Sequence, residues 1–291
     1  MCNDEWMHLP LADREREYSP SSLVPNYINI IKEYRKSGEK VLRSSNSQEY
    51  ILNYGASPRQ VVKLFLSEQS AASMNAVFVY IHGGYWQELS VDDSLFPVSS
   101  FLDRGCHYAA IGYDLAPAAS LSEIVKQICQ ALIFLKKTLD ADGVRPKIYV
   151  SGSSAGAHLA AMMLTMSWKD YHCLTPPCDA LFLFSGIYDI RPILGTYINS
   201  ALKLSADVAE DLSPMLLPLH QGILTSVYWG DNETKEFKRQ SENFSEVLRK
   251  NGALFVKSEI PNRNHFDLVF DLSDYNSRFW SDFMSVHVLL K

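Results

Sequence analysis

The residues most able to do chemistry lie in four separate stretches of the chain. In Gly152-Ser153-Ser154-Ala155-Gly156 a serine stands between two glycines. An apolar run ends near Ser151 just before it, and a helix rich in small residues, through Met166, follows it. A serine on so sharp a strand-to-helix turn is the Gly-x-Ser-x-Gly elbow, whose flanking positions must be small for the turn to approach its neighbours. The helix N-terminus then aims free N–H groups at the reacting centre. Ser154 is therefore the candidate nucleophile, while Ser151 and Ser153 are expected to point their side chains elsewhere. The competing reading is an ordinary glycine-rich turn holding an anion. The strand before and helix after favour the elbow.

His82-Gly83-Gly84-Tyr85-Trp86 follows an apolar run ending at Ile81. Attack on a carbonyl places negative charge on its oxygen, and donors must already be aimed at that position. Glycines let a loop turn its N–H groups inward with no Cβ in the way. The N–H groups of Gly83, Gly84 and Ala155 are the expected oxyanion donors. His82 reads as a structural group bonding its own loop.

A serine hydroxyl needs a base near neutral pH, and the base needs a third group to hold it. In the elbow arrangement the chain order is serine, acid, histidine. His265, in Asn262-Arg-Asn-His265 after the run Ala253–Ile260, fits the base. Asp231, just after the run Ile223–Trp229 and Gly230, fits the acid. Asp189 is the rival acid, with the alternative reading of a turn former. His8, His107, His158, His172, His220 and His287 do not fit this order.

These groups need a scaffold that brings them to one edge. Seven apolar runs read as strands: 61–66, 76–81, 107–112, 147–151, 179–185, 223–229 and 253–260. Their lack of polar alternation suits strands buried on both faces. Helical stripes lie between them, as in Leu121, Ile124, Val125, Ile128, Leu132 and Leu135. Such alternation predicts an α/β fold, a mostly parallel central sheet with helices on both faces. Residues 46–291 are expected to form this single domain, and residues 1–45 a helical arm packed on it. In the arm, Tyr18-Ser-Pro-Ser-Ser22 reads as a turn and helix cap, before Tyr27, Ile30, Ile31 and Tyr34 at helical spacing.

A net charge of −6 argues against nucleic-acid or anionic-membrane partners, which favour a basic face. No run approaches the ~18 apolar residues of a membrane span. Cys2, Cys106, Cys129, Cys173 and Cys178 form no C-x-x-C pair and have no zinc spacing, so free thiols, a cytoplasmic location and no metal are expected. The first residues carry no apolar core of a secretory signal.

With these residues in view, the chain resembles the kynurenine formamidases, or arylformamidases, of the α/β-hydrolase superfamily. Tyr18-Ser-Pro-Ser21, His82-Gly-Gly-Tyr-Trp86, Gly156-Ala-His-Leu-Ala-Ala-Met-Met163, Phe237-Lys-Arg-Gln-Ser241 and Asn264-His-Phe266 carry the likeness over nearly the whole chain. The resemblance implies hydrolysis of N-formyl-L-kynurenine to L-kynurenine and formate, a step of tryptophan degradation, with Ser154, Asp231 and His265 as the triad. It implies a formyl-enzyme intermediate, no cofactor and a homodimer. Tyr85, Trp86, Tyr113 and Tyr188 are candidates for an aromatic slot around the aryl group. Animal members commonly carry histidine where this chain has Ser153, so the imidazole beside the nucleophile is absent here. A short-chain carboxylesterase of the same fold is the alternative activity, since fold and triad do not fix substrate.

Overall fold

The computed structural model describes residues 4–44, 48–68, 74–141, 143, 145–173 and 175–291. Among these residues eight strands form one sheet in the order β1-β2-β4-β3-β5-β6-β7-β8. They are β1 Glu49–Asn53, β2 Val61–Phe65, β3 Ala76–Ile81, β4 His107–Ile111, β5 Lys147–Ser153, β6 Ala180–Phe184, β7 Leu224–Asn232 and β8 Leu254–Asn264. Strands β3 to β8 pair in parallel. The β1–β2 and β2–β4 pairings are antiparallel. All seven anticipated strands are present. β1 was not anticipated: it is a half-exposed edge strand, so it lacks the apolar run that marks the others.

Strand periodicity sorts the core into two layers. Val77, Val79 and Ile81 of β3 face one cluster, with Val150 and Leu183 from neighbouring strands. Ala76, Phe78 and Tyr80 face the other, with Tyr149 and Phe182. Helices α4 (Leu121–Ala141), α5 (Ala155–Met162) and α8 (Lys235–Lys250) cover the first face. On the second face lie α2 (Tyr27–Ser44), α3 (Val98–Leu102) and α9 (Arg278–Leu289), where Phe78, Phe101, Phe182, Phe279 and Phe283 stack edge-to-face or in parallel. Burying both faces explains why the strand runs lack polar alternation.

Two excursions crown the carboxyl edges of the strands. One is the N-terminal arm, with α1 (Leu11–Glu17), a 3-10 turn at Pro20–Ser22 and then α2. The Tyr18–Ser22 stretch is a turn as expected, but Ser19 caps nothing with its side chain; its hydroxyl instead donates to Glu15 O and bonds Tyr197 Oη. The other spans residues 186–218 and holds α6 (Asn199–Leu202) and α7 (Ala206–Asp211). Among the described residues no helix is long and apolar enough to cross a membrane. Cys106, Cys129, Cys173 and Cys178 are free thiols, and Cys2 lies outside the described residues.

Candidate active site

Ser154 sits between β5 and α5 with φ +57° and ψ −118°, a backbone conformation costly for a side-chain-bearing residue. The two flanking glycines make that turn sterically feasible. A Cβ on Gly156 would stand 2.1 Å from the Ile81 carbonyl oxygen, and one on Gly152 would stand 2.3 Å from the Gly156 carbonyl carbon. The turn is held from beneath, since the Ser154 N–H donates to Phe184 O at 2.9 Å. The elbow expected from the spacing is thus present in its full steric detail.

The His82-Gly83-Gly84 loop leaves β3 beside it. A Cβ on Gly83 would meet Ser153 O at 2.9 Å and Ser154 Cβ at 3.3 Å, so the loop passes directly over the nucleophile. Gly84 has φ +93°. The N–H groups of Gly83, Gly84 and Ala155 find no backbone acceptor among the described residues. His82 is buried, hydrogen-bonds Gly83 O through Nδ1 and stacks on Tyr113 at 4.1 Å. Burial pushes its pKa down to about 4, so its ring is neutral near pH 7. It serves its own loop, as anticipated.

His265 follows β8, and its Nδ1 donates to Glu233 Oε2 at 2.9 Å. The acid beside the imidazole is therefore Glu233, and the expectation of Asp231 is corrected. Asp231 is exposed, and its side chain makes no hydrogen bond to the ring among the described residues. The reason lies in the strand end. β7 does not stop at Trp229 but continues to Asn232, with an irregular register between Gly230 and Asn232. β8 crosses close over Gly230, where a Cβ would stand 2.2 Å from Arg263 O. Asp231 is thereby turned outward, and the chain brings Glu233 back to the imidazole just before α8 begins. Glu233 is almost fully buried, and its second oxygen accepts from Ser185 Oγ and from the Gly230 N–H, both at 2.6 Å. A carboxylate with three such donors is fixed in place and satisfied. Phe237 of α8 packs edge-on against the ring at 4.5 Å. The rival Asp189 is taken by Arg191 at 2.8 Å.

Ser154 and His265 line one cavity of about 270 Å³. No hydrogen bond joins the Ser154 hydroxyl to the ring; such contacts commonly tighten only around substrate. Of the four aromatic candidates only Tyr85 lines this cavity. Trp86, Tyr113 and Tyr188 are wholly buried core residues, a correction to their expected place. Trp86 packs on His158, Tyr113 on His82 and Tyr188 on Phe244. Ser153, expected to turn away, does line the cavity.

The arm supplies wall that sequence reading did not assign to the site. Ser19, Pro20, Ser21, Tyr27, Ile31 and Tyr34 all line the cavity. Tyr18 is fully buried, and its hydroxyl donates to Glu236 Oε2 at 2.7 Å. Tyr85 Oη donates to Tyr18 O at 2.5 Å, and Tyr34 Oη donates to Phe266 O. The helix that follows Glu233 thus also anchors the arm. The resemblance pointed to Tyr18-Ser-Pro-Ser21; the pairing of Tyr18 with Glu236, 218 positions away, had no local signal.

An eight-stranded, mostly parallel sheet with helices on both faces and a strained serine elbow defines an α/β-hydrolase. A family model described as BD-FAE matches residues 62–182. A protein of Silicibacter sp. tm1040 superposes with a TM-score of 0.81 at 25% identity, covering 93% of this chain and 98% of its own. A thermophilic carboxylesterase cloned from a metagenomic library gives a TM-score of 0.70 at 18% identity, covering 94% and 98%. Kynurenine formamidase of Salmo salar is 31% identical, with 98% of this chain and 97% of that protein aligned. The chain belongs to the kynurenine formamidase family and is a hydrolase.

Proposed function

We propose that this enzyme hydrolyses the formamide of N-formyl-L-kynurenine through Ser154, His265 and Glu233. The Nδ1–H bond to Glu233 leaves Nε2 as the basic nitrogen and orients the ring in that tautomer. Nε2 takes the Ser154 proton as Oγ attacks the formyl carbon. The N–H groups of Gly83, Gly84 and Ala155 receive the charge on the oxygen. The protonated imidazole passes its proton to the departing aryl nitrogen, and the carbon–nitrogen bond breaks. Water, deprotonated by the same nitrogen, releases formate from the formyl-serine. Glu233 stabilises the imidazolium throughout.

The observation carrying this reading is that His265, held by the buried Glu233, lines the same cavity as Ser154. Family membership supports the small-molecule substrate. Cytoplasmic location is supported by the four free thiols, and a homodimer by the family likeness alone. The test is to compare rates on N-formyl-L-kynurenine and a short p-nitrophenyl ester. Preferential formamide cleavage is expected. Efficient ester turnover with negligible formate release from the formamide makes the protein a carboxylesterase instead.

A further inference from the structure

The wall of the cavity carries an uneven set of charges. Its lining includes two carboxylates, Asp93 and Glu88, and no Lys or Arg among the described residues. Glu88 is exposed. Asp93 is only 8% exposed, a rare state for a carboxylate unless it is paired.

Asp93 is held from two sides. Arg35 of α2 donates to Oδ1 through Nε and to Oδ2 through Nη2, both at 3.1 Å. Ser90 Oγ donates to Oδ2 at 2.9 Å. An ionised carboxylate has about four acceptor sites, so these three donors leave roughly one open. Arg35 does not line the cavity, so it fixes the carboxylate from behind. Around Asp93 the wall is aromatic: Tyr27, Tyr34, Tyr80 and Phe266, with Tyr34 stacked on Phe96 behind the wall.

We infer that Asp93 is the specificity residue that binds the ammonium group of an amino-acid substrate, while the tyrosines and Phe266 take the aryl ring. This rests on the formamidase reading and extends it to the end of the substrate away from the formyl group. An ammonium donates a charge-assisted hydrogen bond to the open site of a pre-oriented, nearly dry carboxylate. The substrate's own carboxylate meets no cation on the wall and stays toward solvent. Anionic aryl formamides lacking an ammonium are correspondingly poor substrates.

The experiment uses three formamides: N-formyl-L-kynurenine, its analogue without the amino group, and formanilide. With the parent enzyme, removing the amino group is expected to lower kcat/KM about tenfold or more, the scale of one charge-assisted bond. In Asp93→Asn the ratio of kcat/KM for N-formyl-L-kynurenine to that for formanilide is expected to fall by a similar factor. Equal kcat/KM with and without the amino group in the parent overturns the proposal, whether or not the variant folds. An unchanged ratio in a folded Asp93→Asn overturns it too, because a purely structural ion pair affects both substrates alike. If the parent cleaves none of the three, the formamidase reading itself fails.

Discussion

Glu233 Oε2 accepts the Nδ1 proton of His265 at 2.9 Å, while the carboxylate two residues earlier, Asp231, is exposed. One is fixed by Ser185 and Gly230, whereas the side chain of the other has no hydrogen-bond partner among the described residues. Glu233→Gln is expected to lower kcat by about 10³–10⁴, the range seen when the acid of such a triad is neutralised. Asp231→Asn is expected to stay within about twofold, as for an exposed surface substitution. Formate release from N-formyl-L-kynurenine by both variants checks this. Equal loss in the two, or loss only in Asp231→Asn, returns the acid to Asp231.

The scaffold was largely legible because its signals are local. Apolar runs marked seven strands, and the glycines at 152 and 156 marked the elbow by their spacing. The acid was not legible in the same way. Whether residue 231 or 233 faces the imidazole depends on a register irregularity between β7 and β8, and one extra residue in a strand turns a side chain to the other face. The arm's share of the cavity depends on pairings such as Tyr18–Glu236 that join distant stretches. Aromatic type alone did not separate cavity wall from core: Tyr85 lines the site while its neighbour Trp86 is buried beneath it.

Tyr113 illustrates the difference between reading substrate and holding the loop that does chemistry. Its hydroxyl donates to His82 O at 2.8 Å, and its ring stacks on the His82 imidazole. Tyr113→Phe leaves that buried carbonyl without its donor, a cost of about 1–3 kcal/mol. The expected outcome is a lower melting temperature and a reduced kcat, with KM nearly unchanged. A large rise in KM with unaltered stability would place Tyr113 in contact with substrate.

The glycine at 156 is a packing requirement of the elbow. A methyl group there would overlap the Ile81 carbonyl, whose strand leads into the His82 loop. Gly156→Ala is expected to cost at least the ~1–3 kcal/mol of a typical overpacked core and to displace β3 from α5. Thermal melting and labelling by a fluorophosphonate probe test this together. Parent-like melting with full labelling would show that the close approach is not needed.

Two buried histidines make stability depend on pH. Burial lowers the pKa of both His82 and His158 to about 4, against about 6.5 in an unfolded chain. Above pH 6.5 both states are neutral at these sites and the histidines contribute no slope. Between pH 6.5 and 4 the unfolded chain binds protons that the folded protein does not, so folding stability falls as the pH falls. A depression of this size amounts to roughly 3 kcal/mol per histidine by the lower limit of the window. His158 Nε2 donates to Leu212 O at 2.7 Å, a bond a glutamine amide can reproduce without titrating. His158→Gln is therefore expected to retain its stability near pH 7.5 and to lose distinctly less than the parent on acidification to pH 4.5. Urea midpoints at the two pH values measure the difference, and parallel losses in parent and variant would show that His158 is protonated in the folded state, contrary to its buried, neutral assignment.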